Sequence, residues 1–99
     1  MSDRKSLKTV HLIVEGRVQA VGFRFFTQQT AAQLAINGWV RNRSDGSVEV
    51  KAEGPQDSID QFITLLKKGN RFAKVRSISV YIADYPEHFS SFDILSSIE

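Results

Sequence analysis

Apolar positions along the chain recur first at every second residue, then at every third or fourth, and the switch happens twice. Val10, Leu12 and Val14 share one side of Thr9–Glu15, which predicts a first strand. From Phe23 to about Ala35 the spacing lengthens: Phe23, Phe26, Thr27, Thr30, Ala31 and Leu34 lie near helical intervals, and Asn37-Gly38 punctuates the end. Period two returns in Gly38–Arg43 and Ser47–Glu53. Between them, Ser44-Asp45-Gly46 has hairpin chemistry, because Asp-Gly supplies the left-handed conformations such turns need. In the third strand Val48, Val50 and Ala52 face one way and Ser47, Glu49, Lys51 and Glu53 the other, which predicts one buried and one solvated face. Gly54-Pro55 then breaks the strand. Gln56–Lys68 sets Ile59, Phe62, Ile63 and Leu66 on one helical stripe, with Lys67-Lys68 at the negative end and Gly69 past it. Lys74–Ala83 predicts a fourth strand with Ile78, Val80 and Ile82 inward. After the loop Asp84–His88, Ser90–Leu95 predicts a short fifth strand with Phe92 and Ile94 on one face.

The order β-α-β-β-α-β plus a C-terminal strand is that of an α+β protein. With both helices on one face of an antiparallel sheet it makes a ferredoxin-like α/β plait. A chain of 99 residues has room for one such unit, expected over residues 7–99 behind a flexible tail of residues 1–6. There are no cysteines, so disulfides, thiolate chemistry and Cys-based zinc sites are excluded. The formal charge of +2, spread over the whole chain, favours anionic partners only mildly and lacks the basic stripe of a nucleic-acid binder. Met1–Lys8 is polar and charged, and Val10–Val14 is too short for a signal peptide or a membrane span. A cytoplasmic monomer without membrane or nucleic-acid partners is the expectation.

Chemistry concentrates in Gly16–Arg24, between the first strand and the first helix. A glycine near each end permits the backbone to curl. The amides of Arg17, Val18, Gln19, Ala20, Val21, Gly22 and Phe23 could then converge on one oxyanion, with the positive helix N-terminus behind them. Arg24 adds a forked, permanently charged donor. Taken alone, the segment also fits an ordinary strand-to-helix loop with a solvated arginine, and it lacks the Gly-Lys-Ser/Thr of a Walker A loop. Asn42 shares the parity of Val40 at the end of the second strand. It suits either a turn-stabilising amide or one that orients a nucleophilic water. His11 and His88 have no metal-ligand spacing, so no metal is expected. Glu15, Asp45, Glu49 and Glu53 read as solvated strand and turn residues. Without an evident general base, an enzyme built on this loop needs a good leaving group. The carboxylate of a mixed carboxylic–phosphoric anhydride is one, since positioning and electrostatics can then carry most of the catalysis.

The segment GRVQAVGFR (Gly16–Arg24) resembles the phosphate-binding signature of acylphosphatases. GWVRNRSDGSVEVKAEG (Gly38–Gly54) resembles their second signature, with Gly38, Trp39, Val40, Arg41, Asn42, Gly46, Val48 and Gly54 in register. The likeness covers roughly residues 7–95. It implies a plait that hydrolyses acyl phosphates to a carboxylate and inorganic phosphate, without metal or cofactor. Carried over by position, Arg24 and the amides of Arg17–Phe23 bind the phosphoryl group and Asn42 orients the water. Ala20 departs from the family, which often has glycine there. A left-handed backbone at that residue would cost alanine about 1 kcal/mol. The competing class is a non-catalytic plait module binding RNA or an anionic ligand. RNA-recognition modules stack bases on aromatics of their central strands, whereas Ser47–Lys51 has no aromatic and exposes an acid. A second alternative is an accessory domain of a larger enzyme, while the length with Met1 at the start predicts a free-standing protein.

Overall fold

A computed structural model describes residues 7–97, in which the elements run β1 (Leu7–Arg17), α1 (Phe23–Gln33), β2 (Asn37–Asn42), β3 (Val48–Pro55), α2 (Gln56–Lys68), β4 (Lys74–Ile82) and β5 (Phe92–Ile94). The tail expected at residues 1–6 lies outside the described residues. The strands form one sheet in the order β4-β1-β3-β2-β5. The β1–β3, β1–β4 and β2–β3 pairs are antiparallel, and β5 returns parallel to β2, so the plait gains a mixed edge. Val10, Leu12 and Val14 of β1 stand opposite Ala52, Val50 and Val48 of β3, and Val40 of β2 stands opposite Val50. These residues make one fully buried face with Phe23 and Ala31 of α1 and Ile59, Phe62 and Leu66 of α2. Burying each such Val, Leu or Phe side chain is worth about 1.5–3 kcal/mol, which makes this face the main source of stability.

β1 bulges between Glu15 and Gly16, which shifts its register against β4. Gly16 has φ +136°, and a Cβ there would lie 2.1 Å from the carbonyl oxygen of Lys74. Only glycine fits that approach, and the bend it allows directs the chain into the loop that starts α1.

Three expectations need correction. The helix α1 stops at Gln33, before Asn37-Gly38. Ala35 takes φ 56°, its amide bonds to Ala32, and that of Ile36 bonds to Ala31 at 2.9 Å. This is the double hydrogen-bond closure usually made with glycine, here made with alanine. In β4, Ile78, Val80 and Ile82 do face the helix layer, opposite Val14, Leu12 and Val10. However, Val80 is 42% and Ile82 63% exposed, because β4 is an outer strand and the helix layer stops short of its end.

The third correction concerns Glu49 and Glu53, which are 7% and 4% exposed rather than solvated. Both face away from the helices but lie on the central strand, where neighbours roof them. Glu49 accepts from Arg41 Nε at 2.8 Å and meets His11 Nε2 at 2.5 Å. Glu53 accepts from the Thr9 hydroxyl at 2.6 Å and from the amides of Glu87, His88 and Phe89 at 2.7, 3.1 and 2.9 Å. Burial by itself raises both carboxyl pKa values. Hydrogen bonds to the charged forms outweigh it, and both carboxyls end below the usual glutamate value. Glu15 and Asp45 are exposed, as expected.

Candidate active site

The chain leaves β1 at Arg17, turns through residues 18–22 and enters α1 at Phe23. Gly22 occupies the N-cap position in a left-handed conformation, φ 75°. The helix therefore begins with no side-chain cap, and its first turn holds no acidic residue. The first amides of a helix have no partner inside it, so this N-terminus keeps its donors and its positive potential for something else. Ala20 has φ 61°, the left-handed backbone that its position called for.

Beside the loop is a cleft of about 190 Å³. Its floor is Val18 and Phe23, both 1% exposed; Ala20 and Gly22 bring loop backbone to it, and Phe25 and Ile94 form its rim. Arg24 enters from α1 and Asn42 from the end of β2. The Arg24 guanidinium makes one long contact, Nη1 to the Leu95 carbonyl at 3.5 Å. Its other donors have no partner among the described residues. Oδ1 of Asn42 is buried and is the one buried side-chain polar atom without a hydrogen bond among the described residues. Leaving such an acceptor unpaired costs about 1–3 kcal/mol, so a partner from outside the chain is the economical explanation. No carboxylate lines the cleft. A cationic fork, free amides and an unpaired acceptor in an acid-free cleft can hold a small oxyanion and a water next to each other.

Not every residue singled out in the sequence reaches this cleft. Arg17 is the last residue of β1, paired with Lys74 and exposed. Gln19 and Val21 do not line it either; they brace it. Gln19 Nε2 donates to the carbonyls of Arg43 and Ser47, each at 2.8 Å, which ties the loop to the β2–β3 hairpin carrying Asn42. The Val21 carbonyl accepts from Asn70 Nδ2 at 2.8 Å, and Asn70 Oδ1 accepts from the amides of Phe72 and Ala73. The braces of Gln19 and Asn70 span 24–49 residues, a pairing that no local pattern encodes. Phe25 and Ile94 were also missed as rim residues. Their signal was exposure of large apolar side chains, which periodicity does not report. Among the described residues no group of three or more His, Cys, Asp or Glu could hold a metal ion, and no helix is long and apolar enough to cross a membrane.

Fold and cleft together define the class: a ferredoxin-like α+β plait with an acid-free cleft that Arg24 and Asn42 enter. The family model of acylphosphatases matches residues 10–94. An acylphosphatase of Bacillus licheniformis is 46% identical over 83 residues, covering 84% of this chain and 92% of the relative. The crystal structure of acylphosphatase from Bacillus subtilis superposes with a TM-score of 0.87 at 43% identity, covering 91% of this chain and 99% of that one. Full-length HypF, in its phosphate- and nucleotide-bound form, contains a similar region: TM-score 0.88 and 25% identity, covering 98% of this chain and 13% of that one. The chain belongs to the acylphosphatase family.

Proposed function

We propose that this chain hydrolyses the carboxyl–phosphate bond of acyl phosphates through Arg24, Asn42 and the backbone amides of residues 17–23. The observation that carries the site assignment is the buried, unpaired Oδ1 of Asn42 in the cleft that Arg24 also enters. Arg24 and the loop amides hold the phosphoryl oxygens, and the α1 N-terminus adds its positive potential. Oδ1 of Asn42 accepts a hydrogen bond from a water and aims the water's oxygen at phosphorus. As the new P–O bond forms, the bond to the acyl oxygen breaks and the carboxylate leaves with the electron pair. The water proton passes to a phosphoryl oxygen of the substrate, because an amide is too weak a base to take it. The products are the carboxylate and inorganic phosphate. No cofactor or metal enters the scheme, and residues 7–99 act as one unit, a cytoplasmic monomer with no nucleic-acid partner.

Hydrolysis of benzoyl phosphate in the presence of a chelator tests the reading. Wild-type protein should turn over. Arg24→Ala should lose activity and inhibition by inorganic phosphate together. Asn42→Ala should lower kcat by about a hundred-fold or more with a small change in KM. An Asn42→Ala enzyme that loses only affinity would remove Asn42 from the water-orienting role. Folded wild-type protein that binds phosphate without turnover would make the cleft a binding site alone.

A further inference from the structure

The small cleft shares a lining residue with a second, larger depression on the surface. Phe25 is the shared wall. It lines the small cleft beside Arg24, and its other side lines a larger depression of about 640 Å³ between α1 and β5. The two depressions also share β5, which contributes Ile94 to the first and Phe92 to the second. Phe25 is 58% exposed and Ile94 39%, so two large apolar side chains stand in solvent at the mouth of a polar cleft. Singly exposed apolar residues are ordinary, but two that flank one opening mark a contact surface.

The second depression has a distinct chemistry. Gln28, Gln29, Ala32, Ile36 and Phe92 are among its walls, and no charged side chain lines it. This is unusual for a chain in which 24% of residues are charged. Asp93, which lies between Phe92 and Ile94 in sequence, is occupied with the Ser91 hydroxyl instead. The wall is also fixed. Phe92 packs edge-on against Phe62 with ring centroids 6.2 Å apart, and its carbonyl accepts from Gln28 Nε2 at 2.9 Å.

We infer that the acyl half of the substrate leaves the cradle over Phe25 and rests against this α1–β5 wall, so that Phe25 selects neutral, apolar acyl phosphates, aromatic ones foremost. The inference rests on the phosphoryl assignment of the cleft. Given that assignment, the acyl group must leave the cleft past its rim, and the rim is Phe25 and Ile94. A planar aromatic acyl group can stack on Phe25, and the polar side chains lining the depression are all neutral amides, those of Gln28, Gln29, Gln33 and Asn37. An acyl group with its own carboxylate, ammonium or second phosphate would be desolvated there without a counter-charge, which is unfavourable.

The test compares benzoyl phosphate with acetyl phosphate for wild type, Phe25→Ala and Phe25→Tyr, with the inhibition constant of inorganic phosphate measured alongside. Wild type should favour benzoyl phosphate in kcat/KM. Phe25→Ala should lower the benzoyl-to-acetyl ratio by about ten-fold, with the change in KM, since a lost aromatic contact is worth that much discrimination. Phe25→Tyr should restore the ratio, and the phosphate inhibition constant should move less than two-fold in both variants. A wild-type ratio near one would overturn the inference. So would an equal loss on both substrates together with weaker phosphate inhibition, which would mean that Phe25 merely shapes the cradle. Absence of turnover on either substrate by folded wild-type protein would instead refute the hydrolase reading, which keeps the two failures apart.

Discussion

Replacing Ala20 with glycine should stabilise this protein, an unusual direction for a substitution that deletes a methyl group from a candidate active site. Ala20 has φ 61° and is exposed in the loop ahead of α1. A left-handed backbone brings Cβ close to the following carbonyl oxygen and costs an L-residue about 1–2 kcal/mol. Glycine escapes that cost but gives up roughly 0.5–1 kcal/mol more chain entropy on folding. The methyl group is in solvent, so its loss removes little burial. The balance favours glycine by about 0.5–1 kcal/mol, or roughly 2–5 °C in Tm for a chain of this size. Guanidinium unfolding with and without inorganic phosphate reads it directly. The midpoint should rise at constant slope, and the further rise produced by phosphate should match that of wild type, because the amides of the loop keep their directions. Ala20→Val, with a β-branched side chain in the same backbone, should fall by more than 1 kcal/mol. A midpoint for Ala20→Gly at or below the wild-type value, with unchanged slope, would show that no strain is held at this residue.

Gln19→Ala removes both hydrogen bonds that tie the loop to the β2–β3 hairpin, at about 1 kcal/mol each. It should lower stability by about 2 kcal/mol and weaken phosphate inhibition, whereas wild-type inhibition in a destabilised variant would show that the brace does not shape the cradle. Glu53→Gln should cost about 2 kcal/mol at pH 7, because its four donors address a carboxylate. The folded carboxyl lies below the ordinary glutamate value of 4.5, so the unfolded chain binds the proton more readily. The contribution is therefore complete above that value and is lost as pH falls through the lower, folded one. Denaturation midpoints of wild type and Glu53→Gln should converge on acidification below 4.5, and a gap that stays constant would contradict the shift.

Most of the fold could be read from alternation, because a period of two or of 3.6 specifies which side of an element is apolar. It did so for Val10, Leu12 and Val14, for the Ile59–Leu66 stripe, and even for Val80 and Ile82, whose direction was right. Alternation does not specify how far the opposite layer reaches, and at Val80 and Ile82 the helices do not reach. The same gap explains Glu49 and Glu53. Their side of β3 is indeed turned from the helices, but burial there comes from His11, Arg41, Thr9 and the 87–89 backbone, all distant in sequence. At the site, Arg24 and Asn42 each had an ordinary alternative, a solvated arginine and a turn amide, and it was the likeness of the two segments Gly16–Arg24 and Gly38–Gly54 to one family that singled them out. The bridging side chains of Gln19 and Asn70 were not legible, since a glutamine or asparagine looks alike whether it is solvated or tying a loop to a distant segment.

Left-handed backbone at a residue other than glycine does not by itself mark a site. Ala35 and His88 adopt it as well, with φ 56° and 62°, one closing a helix and the other turning a loop held by Glu53. The cleft differs because unfavourable features of three unrelated kinds meet in it. Ala20 carries backbone strain, Asn42 carries a buried acceptor without a donor, and α1 starts without a side-chain cap. Each opposes folding, and two of the three can be met by adding something at the same place: an oxyanion at the helix start and a hydrogen-bond donor such as water at Asn42. Only the strain at Ala20 is left unrepaired by such additions, which is why glycine there should raise stability while leaving phosphate binding as it is. Among the other described residues α2 also starts without a side-chain cap but has Asp57 in its first turn, and the amides of Glu87, His88 and Phe89 are met by Glu53. Among the described residues the buried side-chain polar atoms are satisfied everywhere except in this one acid-free cleft, which is where a bound ligand would lower the free energy of the fold most.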